Sequence, residues 1–453
     1  MRSHFARRIK AACVLSGAVA VAFAAPGTAS ASLGTQCSGE GVTGQGASLL
    51  KIAEQSILSP NFNSPSDTNA SACSGTQGSL GTPAAKYTSS SSSAGLESWG
   101  ANGKAGATFG ATNAFIGTEE PPNPTQTSEI EAPGAPGTLL TIPILQSAIA
   151  IVIHLPTGCT ANSTVAPGRL VLEGKTLEKL FQGTVTNWSK IKSSEGGNEI
   201  LGCTKKALKA DPIIRVVRED GAGTTAILKK YLNLIDKKAV DGSKTWQQIS
   251  EASANLLWPN ETSDLVRAKG DSGLATKVAA EPGSIGYVSL ADARANGDFT
   301  PGTGGPGTGL FWAEIQNRSK PSVTYADPAT NLDVAAKQNS NCESTTYTNG
   351  SKKFPPPNTT QSWSEVTSST TETNYTICGF AFALAFNSYS KFPSTTLNEA
   401  TTVNNFLKFT LNTETGGGQK LLLNNDYLPL PTNAVPSLNV LEIAQEGANN
   451  VAF

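Results

Sequence analysis

The apolar positions of this chain fall in short runs that switch between the two-residue period of a strand and the 3.6-residue period of a helix. Thr141 to Leu155 is apolar almost without interruption and reads as a strand buried on both faces. Ile213 to Arg218 is a second buried strand. After the turn Glu219-Asp-Gly-Ala-Gly223 the apolar positions return at helical spacing as far as Leu232, so a helix begins near Thr224. Leu170 to Gly183 places Leu177, Leu180 and Phe181 on one helical face and stops at Gly183. Thr43 to Leu49 reads as a glycine turn, and Leu50 to Leu58, Ser272 to Ala280 and Thr402 to Leu411 carry the spacing of three further helices. Lys86 to Thr88, Ala107 to Asn113 and Phe380 to Phe386 read as strands, Pro282 to Leu290 as a turn and a strand, and Tyr427 to Pro431 as an extended terminator. The serine run 89 to 93 has the composition of a linker, but the Ala-Gly-Leu-Glu that follows suits hydroxyls placed at a helix start. Residues 59 to 85, 121 to 136 and 300 to 374 are loop-like, rich in Pro, Gly, Ser, Thr and Asn. Strands followed by helices define an α/β protein.

The N-terminus fixes the compartment. Arg2, Arg7, Arg8 and Lys10 precede an apolar run from Ala11 to Ala25, and Ala29-Ser-Ala31 offers small residues for cleavage. This is the pattern of a secretory signal peptide, too short to span a membrane. Cys13 is misplaced for a lipid-anchored cysteine, so the chain is expected to be secreted, extracellular or cell-wall associated. The 453 residues hold 34 basic and 35 acidic side chains, and removing the signal leaves 30 against 35. That balance argues against nucleic acid or an anionic membrane as partner. Six cysteines remain, and in an exported protein they point to disulfides, expected between sequence neighbours: 37 with 73, 159 with 203, 342 with 378. No C-x-x-C or clustered His/Cys spacing suggests a metal, and no cofactor is expected. Only His4 and His154 are present, so a triad or metallohydrolase would rest on His154 alone, which reads better as a polar tip on a strand end.

The strand, turn and helix around Arg218 have the makings of an anion cradle. Gly221 and Gly223 permit positive φ and close approach of the backbone, and the first N–H groups of the helix have no partners of their own. Arg218 can grip two oxygens of an anion while Asp220 holds the guanidinium, and Thr224 and Thr225 offer hydroxyls. In the bland alternative Arg218 pairs with Asp220 at the surface and Thr224 caps the helix.

Seven stretches together resemble one family, the phosphate-binding proteins of bacterial ABC phosphate transporters. They are Gly44-Gln-Gly-Ala-Ser-Leu49, Ser92-Ser-Ala-Gly-Leu96, Phe109-Gly-Ala-Thr-Asn113, Leu172 to Trp188, Val217 to Thr225, Pro282 to Tyr287 and Asp426-Tyr-Leu-Pro-Leu-Pro, in the family's order. The resemblance implies a two-lobe periplasmic-binding-protein fold of type II. The first lobe would comprise 32–142 and 375–453, and the second 143–374 with insertions. It implies a monomer that takes inorganic phosphate or a similar oxyanion and works with an ABC transporter permease, although the long insertions and missing lipid cysteine count against that coupling. It assigns the ligand to Ser48, Leu49 through its N–H, Ser92 and Asn113 from one lobe, and to Arg218, Asp220, Gly223 and Thr224 from the other. Asn113 stands where the family has a proton-accepting aspartate, and Ala222 where it has a serine. A neutral amide there implies weaker discrimination against fully ionised anions such as sulfate. Two rivals are a degenerate scaffold acting as a cell-surface interaction protein, and a secreted phosphoesterase, which would need a base that Ser48, Ser92 and Thr224 lack.

Overall fold

The computed structural model describes residues 40–63, 84–104, 113–132, 134–210, 212–251, 255–300, 309–317, 325–331, 354–356, 363–366, 375–391, 395–432 and 439–453. The signal segment, Cys37, Cys73, Cys342 and all of the strand expected over Ala107 to Asn113 except Asn113 itself lie outside them.

Among the described residues the chain builds β1 (Gly41–Gly46), β2 (Ala84–Ser89), α1 (Ser92–Ser98), β3 (Phe115–Thr118), β4 (Leu139–His154), α2 (Gly174–Gln182), β5 (Ile214–Arg218), α3 (Gly223–Ile235), β6 (Leu265–Ala268), α4 (Gly270–Ala280), β7 (Ser284–Ser289), β8 (Leu310–Trp312), β9 (Cys378–Phe386) and α5 (Leu397–Thr410), with smaller elements between. The main sheet runs β6, β5, β7, β4, β9, β3, β1, β2, with β8 also against β4. β1, β2 and β3 are mutually parallel, as are β5, β6 and β7, whereas β4 is antiparallel to both β7 and β9.

The long β4 sets the geometry of the molecule. Its first ten residues pair with β9, from Phe386 opposite Leu139 to Cys378 opposite Ala148; the rest pair with β7, from Ser289 opposite Ile149 to Ser284 opposite His154. β3 is antiparallel to β9 and so runs with β4, while β7 runs against it. The carboxyl ends of the two parallel groups therefore point at each other across the middle of β4. This is a two-lobe α/β fold of the type II binding-protein kind. Ligand crevices in such sheets lie outside the carboxyl ends of parallel strands, and here two such ends share one crevice.

Burial explains the strand sequence: every residue of β4 except Thr141 and His154 is buried, and each fully buried Leu or Ile side chain contributes roughly 1.5–3 kcal/mol. His154 is indeed the polar tip, half-buried, its Nδ1 3.2 Å from the Val278 carbonyl oxygen, and desolvation lowers its pKa.

Two expectations are corrected and one is refined. The glycine turn expected over Thr43 to Leu49 is confined to Ser48 and Leu49, because the chain up to Gly46 is strand β1. Its glycines serve close approach by neighbours: a Cβ on Gly44 would lie 2.2 Å from the Phe115 ring, and one on Gly46 2.0 Å from the Gly117 carbonyl oxygen. The helix expected over Leu50 to Leu58 winds as a π-helix from Ile52 to Leu58, with Ser59 N–H donating to the Glu54 carbonyl five residues back. Neither Gly221 nor Gly223 has positive φ. Gly223 is required for space instead, since a Cβ there would fall 2.3 Å from Glu119 Oε2 and 2.9 Å from the Glu119 backbone carbon.

Cys159 and Cys203 form a disulfide beside the paired strands Thr160–Asn162 and Glu199–Leu201. Cys378 is also disulfide-bonded.

Candidate functional site

Five strand ends and the helices or turns that follow them deliver the polar side chains of the crevice. β1 leads to Ser48. β2 ends at Ser89, and Ser91 caps α1 by accepting from Ala94 N–H at 3.2 Å, which sets Ser92 on the first turn. β3 ends at Thr118 and hands over to Glu119. β5 ends in Arg218, and the turn through Asp220 leads to α3, whose N-cap is Ala222, without any side-chain cap. β6 leads through Gly270, at φ +69°, to Asp271 in the first turn of α4. The helix expected to start near Thr224 starts at Gly223.

Arg218 is 1% exposed and is held by two carboxylates. Its Nε donates to Asp220 Oδ1 at 2.8 Å and its Nη2 to Asp220 Oδ2, while Nη1 donates to Asp271 Oδ2 at 2.7 Å. Burial works against the guanidinium's charge, but Asp271 and Asp220 outweigh it and raise the pKa above its ordinary value. The bland surface pair is thereby excluded: the Arg218–Asp220 pair exists, but its arginine is buried and Asp220 is only partly exposed.

Ser48 and Ser92, from the other lobe, meet Asp271, Glu119 and the start of α3 around this pair. Ser48 Oγ donates to Asp271 Oδ2 at 2.6 Å, and Asp271 N–H donates to Ser48 Oγ at 3.1 Å. Ser92 Oγ donates to Glu119 Oε2 at 2.6 Å, and Gly223 N–H donates to Ser92 Oγ at 3.3 Å. Thr224 Oγ1 lies 3.4 Å from Glu119 Oε1 and 3.2 Å from Asp271 Oδ1. Ser93 N–H donates to the Gly221 carbonyl at 3.1 Å. Burial, reinforced by the Asp271 charge and opposed by Ser92 and Arg218, pushes the Glu119 carboxyl up to about 7. Behind it Asp292, bonded to Ser272 and Ser289, is also pushed to about 7 by burial and by Asp271.

Ser48, Ser92, Arg218, Asp220, Gly223 and Thr224 are therefore brought together, and Leu49 follows Ser48 with its carbonyl accepting from Tyr427 Oη at 2.9 Å. Asn113 is not brought in. Parallel pairing of Phe115 with Gly44 and Gly117 with Gly46 sets Asn113 level with Val42, at the amino end of the sheet, roughly 20 Å along the strands from the level of Ser48. Its carbonyl accepts instead from the Trp99 indole at 3.3 Å. The carboxyl end of β3 belongs to Glu119. The sequence holds two similar phrases six residues apart, Phe109-Gly-Ala-Thr-Asn113 and Phe115-Ile-Gly-Thr-Glu119, and the strand forms on the second. Asp271 escaped notice too, although Leu265 to Asp271 repeats the strand, glycine and helix-start pattern of the Arg218 segment.

The pattern of the PBP superfamily domain matches residues 79–414. The chain belongs to the PBP superfamily. Within it, the chain is 27% identical over 209 residues to the phosphate-binding protein PstS of Pasteurella multocida, covering 46% of this chain and 48% of that protein. It is 25% identical over 307 residues to PstS of Haemophilus influenzae, covering 66% and 71%. The chain thus spans about half the length of the Pasteurella relative, and 32% of that of each of two Xylella fastidiosa PstS proteins. Among solved PBP-like structures, a human phosphate binding apolipoprotein aligns with TM-score 0.56 at 17% identity, over 91% of this chain and 98% of its own. The phosphate-bound periplasmic protein PfluDING aligns with TM-score 0.54 at 17% identity, over 91% and 99%. At such identities these structures speak for the superfamily fold.

Proposed function

We propose that this chain is an exported solute-binding protein that closes on inorganic phosphate, or a related tetrahedral oxyanion, and serves ABC-type uptake; it is a binder and not an enzyme. The observation that carries this reading is the buried Arg218, clamped by Asp220 and Asp271 at a strand end beside the uncapped start of α3, with Ser48 donating to Asp271 and Ser92 accepting from Gly223 N–H. Arginine, serine and threonine donors around a helix start suit a tetrahedral oxyanion. The four PstS relatives are phosphate-binding proteins, which fits. Ser48, the Leu49 N–H, Ser92, Arg218, Gly223 and Thr224 are the donors, Asp220 orients Arg218, and Glu119 replaces Asn113 as proton acceptor. The lobes divide as 32–142 with 375–453 and 143–374, and the signal peptide directs export.

Glu119 reverses the selectivity expected from Asn113. A carboxylate accepts a proton from hydrogen phosphate and repels sulfate, which has none to give. Calorimetric titration at pH 8 is therefore expected to show phosphate binding and no sulfate signal. Silence with both anions in a folded protein, or turnover of a chromogenic phosphate ester, overturns the reading. One observation favours a degenerate scaffold as second reading: the Arg218 guanidinium already serves two carboxylates of the protein itself.

A further inference from the structure

The Asp271 carboxylate occupies the donors that the anion reading assigns to a ligand. Oδ2 accepts from Ser48 Oγ at 2.6 Å, Arg218 Nη1 at 2.7 Å and Thr224 Oγ1 at 3.3 Å; Oδ1 accepts from Ser289 N–H at 3.1 Å and Thr224 Oγ1 at 3.2 Å. These donors come from both lobes, and the Asp271 side chain has no solvent exposure. In shape and charge the group stands in for one edge of a tetrahedral oxyanion. Asp220 already neutralises Arg218, so Asp271 adds a charge the cleft does not need for holding its arginine.

We propose that Asp271 is a built-in competitor that sets the affinity of this cleft, so that an incoming oxyanion binds by taking Arg218 Nη1 and the Ser48 and Thr224 hydroxyls away from it. The proposal rests on the anion reading above. Displacing a carboxylate from these donors, and then binding a second anion beside it, weakens every oxyanion alike, because the cost comes from charge and not from the ligand's proton. Selectivity between phosphate and sulfate stays with Glu119. A proton-accepting role for Asp271 predicts the opposite, since losing an acceptor would weaken hydrogen phosphate.

The test is calorimetric titration of the mature protein with inorganic phosphate and with sulfate, comparing wild type with Asp271→Asn and with Asp271→Ser, both of which put a neutral polar group in place of the carboxylate. Urea denaturation verifies that each variant folds. The expected result is phosphate binding tightened at least about tenfold in a folded variant, with the phosphate preference over sulfate kept. A silent wild type with a variant that binds phosphate supports the same competition at its extreme. Phosphate binding equal to or weaker than wild type in a folded variant overturns the competitor while leaving the anion reading intact. Silence of wild type and variants toward both anions overturns the two together.

Discussion

At the scale of single residues, the cleft is decided by where three carboxylates sit relative to one guanidinium. Asp220 and Asp271 are ion-paired with Arg218, whereas Glu119 meets hydroxyls and lies deep enough that burial pushes it to about 7. Below that pH Glu119 is a neutral hydrogen-bond donor, and above it an anion that accepts. Sulfate affinity of the wild type is therefore expected to rise as pH falls from 8 to 5. Glu119→Gln, neutral at every pH, should bind sulfate at least about tenfold better than wild type at pH 8 and with little change down to pH 5. Titration of both proteins with sulfate at the two pH values checks this; a variant that still excludes sulfate at pH 8 removes Glu119 from the selectivity mechanism. Gly223 illustrates a different residue-scale constraint. It was legible as a glycine the site needs, but the reason is the Glu119 backbone pressed against it, which belongs to another lobe and another part of the sequence.

At the scale of elements, the readings that rested on long periodic runs agree with the structure to within a few residues: β4, β5, α3 and β9 all lie where their apolar patterns put them. β1 and β3 did not announce themselves. Phe115 and the Gly117 backbone pack onto Gly44 and Gly46 of β1, and a strand half made of glycine has too few side chains for a period to be read. For β3, two similar phrases stand six residues apart, and the strand on the second is fixed by its parallel pairing with β1. The disulfide expected between Cys159 and Cys203 is present, fastening the hairpin-like pair beside it. Closing 44 residues of chain should constrain the unfolded state by about 4 kcal/mol. The double variant Cys159→Ser, Cys203→Ser is therefore expected to lose up to that much stability in urea denaturation. A loss within error of zero would mean that the hairpin contacts hold the loop unaided.

At the scale of the whole molecule, several carboxyls are kept neutral by burial, and this ties stability to pH. Glu54, on the π-helix and 1% exposed, has an Oε2 with no hydrogen-bond partner among the described residues, and burial pushes its pKa to about 8; Glu119 and Asp292 stand at about 7. Each folded value exceeds the unfolded one, so the stability they contribute is full below about pH 4 and is lost as pH rises toward 7 to 8. Glu54 alone accounts for a loss on the order of 3–5 kcal/mol over that window. Glu54→Gln should flatten the decline, gaining on the wild type by that order between pH 5 and pH 8 in urea denaturation. Parallel pH profiles for the two proteins would show that Glu54 ionises without cost in the folded state.

What the sequence determined by itself was local and repetitive: the buried strands, the amphipathic helices, and the cluster Arg218, Asp220, Gly223, Thr224, whose members lie within seven residues of chain. Hydrophobic period, capping and turn chemistry act over such distances and leave their mark in order along the chain. The placement of Glu119 and Asp271 against that cluster was decided only in three dimensions. It depends on which residues of β3 face β1, and on β4 changing partners between Ala148 and Ile149 so that two sets of strand ends point at each other. Register and strand direction arise from pairing between distant segments, and no local pattern encodes them.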